Sequence, residues 1–77
     1  LTLAPNPVGN EVLLTSAPDY PMKNVVLFDQ NGQVLRTFTN LDTNYFFMSR
    51  DDLPNGMYIM QIGFEEGQSI SKKLIFN

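Results

Sequence analysis

Apolar and polar residues alternate along most of this 77-residue chain with a period of two, and turn residues interrupt the alternation every 8–12 positions. "LTLA" (residues 1–4) reads as a short strand that ends at Pro5, and "EVLLTS" (11–16) as a second. "APDYP" (17–21) is loop, because its two prolines lack backbone donors that a sheet interior needs. "KNVVLFD" (23–29) is apolar on both faces, as a strand inside a sandwich would be. Asn31-Gly32 then predicts a hairpin turn in which both residues take positive φ, with "VLRTFT" (34–39) returning antiparallel. "TNYFFMS" (43–49) is a fifth strand, and "RDDLPNG" is the loop before the sixth, "MYIMQIGF" (57–64). In that sixth strand Tyr58, Met60, Ile62 and Phe64 share one face. Glu66-Gly67 turns the chain into the seventh, "QSISKKLIF" (68–76).

No segment carries a helical period. The pattern predicts an all-β fold, a seven-stranded antiparallel immunoglobulin-like β-sandwich, in a single domain spanning residues 1–77. One position resists the alternation. A strict period puts Lys72 on the face of Ile70, Leu74 and Phe76, which requires either a bulge or a lysine snorkelling at a sheet edge.

Composition narrows the function. The chain has neither cysteine nor histidine, so disulfides, thiolate chemistry, the commonest general base and the commonest metal ligand are all missing. Serines without a histidine base, and without a G-x-S-x-G or S-x-x-K motif, do not point to nucleophilic catalysis. We expect no enzyme, no cofactor and no metal. Five scattered Lys and Arg residues against eight acids, a net charge of −3, do not suit a phosphate backbone, so nucleic acid is not an expected partner. No apolar run approaches the roughly 20 residues of a membrane helix, and membrane insertion is not expected. Leu1 in place of Met reads as the start of a piece of something longer.

Three features invite chemistry and have plainer readings. Asp51-Asp52 could contribute to a Ca²⁺ loop, but lacks EF-hand spacing and suits an ordinary turn. Tyr20, Tyr45 and Phe47 could stack on sugars, although packing in the core or at an edge explains them more simply. Tyr58, just after Gly56, is expected to be a buried ring with its hydroxyl tied to backbone. In "PNP" (5–7) each proline holds the residue before it extended, and the Asn6 amide can close a local turn, so no catalysis is needed to explain it.

Four blocks in order carry a resemblance. They are Pro5-Asn6-Pro7 after the first strand; "VVLFDQNGQVL" with Asp29 and Gly32; "LPNGMYIMQI" with Leu53, Gly56 and Tyr58; and "SKKLIFN" with Lys72, Lys73, Leu74 and Ile75. Together they make the chain similar to the C-terminal sorting domain (type A) of the type IX secretion system of Bacteroidetes. That resemblance implies a non-catalytic address that directs an upstream passenger protein through the outer-membrane translocon to the cell surface or medium. The implied partners are the translocon, sortase-like components and the passenger, and the implied route runs through the periplasm. A signal peptide and cleavage site would lie upstream of Leu1.

From the residues themselves, an apolar last strand with no covering tail suggests recognition by edge pairing, with Lys72 and Lys73 as guard and electrostatic handle. The alternative is an accessory immunoglobulin-like spacer or weak carbohydrate-binding module of a surface protein.

Overall fold

Seven strands form where the alternation places them: β1 (Thr2–Ala4), β2 (Glu11–Thr15), β3 (Asn24–Asp29), β4 (Val34–Phe38), β5 (Tyr45–Ser49), β6 (Gly56–Gly63) and β7 (Ser69–Phe76). A computed structural model provides the coordinates and describes residues 1–4 and 10–77. Pro5, Asn6 and Pro7 therefore lie outside the described residues. The strands make two antiparallel sheets, ordered β1-β2-β5 and β4-β3-β6-β7, in an immunoglobulin-like sandwich. β3 and β6 are interior strands, which explains why both their faces are apolar: Val25 and Leu27 are fully buried, while Val26 and Phe28 are half-buried on the outer face.

The core is wholly hydrophobic. Val12 and Leu14 from the first sheet meet Val25, Leu27, Met60, Ile62, Leu74 and Phe76 from the second, with Met22, Met48 and Tyr58 completing the cluster. Phe38 and Phe46 meet edge-on at its flank, with ring centroids 4.9 Å apart. No buried side-chain polar atom among the described residues lacks a partner.

Two turns differ from the expected geometry. At Asn31-Gly32 only Gly32 takes positive φ, +85°. The Gly32 N–H donates to the Asp29 carbonyl at 3.0 Å, and the Asp29 N–H to the Gln33 carbonyl at 2.9 Å. That is a three-residue loop, a type I turn followed by a left-handed glycine, and not the two-residue turn the dipeptide suggested. The Asp29 carboxylate selects it by accepting the N–H groups of Asn31 and Gln33, both at 2.9 Å. The last hairpin turns through a 3-10 segment, Glu65–Gly67, with Glu66 and Gly67 both left-handed.

The Lys72 conflict resolves in favour of the edge. β7 pairs with β6 in eight unbroken steps, from Gly56↔Phe76 to Gly63↔Ser69, so there is no bulge, and β7 is the outer strand of its sheet. Lys72 accordingly points inward at the margin of the sandwich, half-buried. The break lies in β4 instead, where the register with β3 shifts between Leu27 and Phe28 and Leu35 is left without a partner.

Lys23 pins the start of β3 to two loops, with its Nζ 2.9 Å from Asp42 and 3.2 Å from Glu65. These contacts, Asp42 first, raise its pKa above 10.5.

Because β7 supplies Leu74 and Phe76, the core depends on the last strand. Phe76→Ala should cost about 3–5 kcal/mol, a large share of the roughly 4–12 kcal/mol expected for a domain of this length. A urea titration should show the midpoint falling by about a quarter or more.

Candidate recognition site

Among the described residues no group of three metal-ligating side chains forms, so the site is built from the residues that gather around the end of β7. The loop before β6 starts at Arg50 and Asp51, and the backbone of Asp51 is left-handed, with φ +56°. The Ser49 hydroxyl and the Asp51 carboxylate lie 3.1 Å apart and share a hydrogen bond. The same carboxylate sits 3.5 Å from the Arg36 guanidinium. Its oxygens are thus engaged in closing the turn.

Leu53 drops against the core from this loop. Gly56 then opens β6 with φ +149°, a conformation that L side chains avoid. Two residues on, the Tyr58 ring is 5% exposed, and its hydroxyl donates to the Pro54 carbonyl at 2.6 Å. A tyrosine near the start of this strand, bonded to backbone a few residues upstream, is the tyrosine corner of immunoglobulin-like sandwiches. Met60, fully buried, stands where antibody domains carry their second cysteine. Packing replaces the disulfide.

Arg50 locks the corner to the chain end. Its Nε donates to the Leu53 carbonyl at 2.8 Å and one terminal nitrogen donates to the Asn77 carbonyl at 2.9 Å. The other donates to the Asn55 side-chain oxygen. The guanidinium carbon lies 5.0 Å from the Phe76 ring centroid, and Phe76 in turn meets Tyr58 edge-on at 5.4 Å. The Arg50 N–H donates to the Asn10 carbonyl at 2.7 Å, which draws the residue just before β2 to the same end.

Arg36 makes a second link between the sheets. It follows the bulge at Leu35 and, in phase with Phe38, points inward beside Leu27, and it donates to the carbonyls of Ser49 at 2.6 Å and Arg50 at 2.9 Å. Neither arginine stood out in the sequence. The available signal was Arg36 in phase with Phe38 on an otherwise apolar face.

The three described motif blocks converge. Asp29 pairs with Tyr58, and Tyr58 pairs with Leu74, so one cross-strand row joins the β3–β4 turn, the tyrosine corner and the last strand. Gly32 and Gly56 shape the turns at that end; Lys73 sits in the next row, opposite Ile59, and Ile75 opposite Met57. Lys72, opposite Met60, lies one step further along β7.

The exposed aromatics contradict core packing. Tyr20, Tyr45 and Phe47 are 58%, 70% and 63% exposed. In β5 the register Leu14↔Phe46 and Val12↔Met48 turns Phe46 and Met48 inward, which forces Tyr45 and Phe47 outward. β5 is an edge strand, so the edge half of that expectation holds for Tyr45 and Phe47, while Tyr20 lies in the loop between β2 and β3. At the far end of the sandwich Leu1, Tyr20, Phe64 and Ile70 line an apolar groove of about 370 Å³.

Comparison with known proteins agrees with this architecture. The family model for the secretion system C-terminal sorting domain matches residues 2–77. No curated protein matches the chain. A solved structure of the CBM51-2 and INT domains of Clostridium perfringens ZmpB is similar at 27% identity and a TM-score of 0.62, over 88% of this chain. The chain spans only 16% of that one.

Tyr58→Phe removes one hydrogen bond to a carbonyl that water can reach and should cost about 1 kcal/mol. Gly56→Ala meets no atom within 4 Å, so its cost is conformational alone, about 1–3 kcal/mol. Denaturant midpoints should rank the glycine at least as sensitive as the tyrosine hydroxyl. The reverse order would show that the backbone at Gly56 is not constrained.

Proposed function

The chain belongs to the family of secretion system C-terminal sorting domains, and from that premise we propose that it directs an upstream passenger through the outer-membrane type IX translocon. The passenger travels by way of the periplasm to the cell surface or medium, where sortase-like components process it. Residues 1–77 act as one folded module, and the work is recognition without catalysis.

One observation carries the reading. Three of the four motif blocks, far apart in sequence, lie on adjoining rows at one end of one sheet. Asp29 and Gly32 shape the turn; Leu53, Gly56 and Tyr58 brace the corner. Lys72, Lys73, Leu74 and Ile75 present the last strand, with Leu74 holding it to the core. Pro5, Asn6 and Pro7 are proposed as a stiff lead-in from the passenger.

Exposed Tyr45 and Phe47 favour a second reading, an accessory spacer or weak carbohydrate-binding module. Two rings on alternate residues of one strand face the same way and stand about 7 Å apart along it, which suits stacking on a sugar.

The test is a fusion of residues 1–77 to a periplasmic reporter in a host that has the translocon. Deleting residues 72–77 would remove Leu74 and Phe76 and unfold the domain, so Lys72→Gln/Lys73→Gln is the informative variant. The intact fusion should reach the surface or medium, while the double variant accumulates, folded, in the periplasm. If the intact fusion stays in the periplasm, the sorting reading is wrong. Retention of that fusion on a glycan array, abolished by Tyr45→Ser, would then support the second reading.

A further inference from the structure

Sheet edges expose unpaired N–H and C=O groups, and proteins commonly blunt them by shortness, bulges or charge. The described strands leave four edges. β1 has three residues, β5 has five, and β4 has five with a bulge at Leu35. β7 is different: eight residues in unbroken register. β1 is very short, β4 is broken by its bulge and β5 is regular but only five residues long, so among the described strands β7 offers the longest regular edge.

The register also determines which backbone groups of β7 are free. In an antiparallel ladder, pairs alternate between those that exchange hydrogen bonds and those whose N–H and C=O groups point away. The Phe64 N–H donates to the Gln68 carbonyl at 2.8 Å, which makes 64–68 a bonded pair. Counting from there, Ile70, Lys72, Leu74 and Phe76 turn their backbone groups to β6, and Ser69, Ser71, Lys73 and Ile75 turn theirs to the open edge. The Gly63 carbonyl faces the opposite way, accepting the Lys23 N–H at 2.8 Å, as this phase requires.

We infer that the open edge of β7 is a strand-docking site, read by an extended segment of the export machinery that carries a carboxylate. The segment bonds to the backbone of Ser71, Lys73 and Ile75. This inference rests on the sorting reading and deepens it. Charge selects the occupant. Lys73 points outward and Lys72 inward, so a second copy paired antiparallel across this stretch brings lysine against lysine, which repels. A carboxylate on a foreign strand beside Lys73 is attracted instead, and the backbone bonds supply the affinity.

Ser71→Pro removes one outward N–H and no bond to β6, and proline is tolerated on an edge. Thr37→Pro is the matched control, since the same phase turns the Thr37 N–H outward on the β4 edge. Lys73→Glu tests the charge without touching the backbone. With the reporter fusion as readout, and urea midpoints confirming that each variant is folded, Ser71→Pro and Lys73→Glu should each lower export about tenfold. Thr37→Pro should export like the parent.

Export of folded Ser71→Pro or Lys73→Glu at the parental level overturns the docking site and leaves the sorting reading intact. If Ser71→Pro does not fold, Lys73→Glu decides. If the parent fusion itself is not exported, both fall together. A parent domain that sediments as a dimer, split by Ser71→Pro, makes the occupant a second copy and overturns the proposal.

Discussion

The ladder between β6 and β7 is the constraint on which the rest of the structure depends. Eight pairs without a break hold Leu74 and Phe76 over the core, bring Phe76 under Arg50 and against Tyr58, and keep Lys72 at the margin. A domain of 77 residues without cysteine has little else to close it. The same regularity makes β7 both part of the core and the longest regular edge among the described strands. In this small sandwich the strand that stabilises the fold and the strand that can be read from outside are one.

The corner at Tyr58 explains how such a strand is kept in place. Arg50 touches the loop backbone, the Phe76 ring and the Asn77 carbonyl together, so the end of the chain is tied by a charged fork as well as by burial. Arg36 ties the opposite edge of the sheet to the end of β5. Two arginines thus join the sheets at their margins, while packing around Met60 takes the central place of the antibody disulfide. Both act on carbonyl groups, and a guanidinium suits that role because it presents several donors in a fixed fork.

Most of the fold was legible because the period-two alternation is strong and the turns carry Gly, Asn and Pro. Tyr58 followed from its place after Gly56, and the edge position of β7 answered the question Lys72 raised. What stayed hidden depended on distant partners. The alternation with Phe38 puts Arg36 inward, but no local pattern announces the bulge at Leu35 or the distant carbonyls that Arg36 meets. Asn31-Gly32 suggested one turn type, but the Asp29 carboxylate bonds to two backbone N–H groups and selects another. Tyr45 and Phe47 suited either the core or an edge, and only the pairing with β2 assigned the inward places to Phe46 and Met48. The motif blocks were visible singly; their meeting on adjoining rows required the register.

Residue-resolved amide exchange on the isolated domain tests the central claim most directly, that β7 is an open edge in a fixed phase. The Ser71, Lys73 and Ile75 amides should exchange quickly, while those of Lys72, Leu74 and Phe76 are protected nearly to the limit of global unfolding. Uniform protection along β7 would show its edge to be covered, and uniform rapid exchange would show that the strand is not docked on β6; either result would contradict the account.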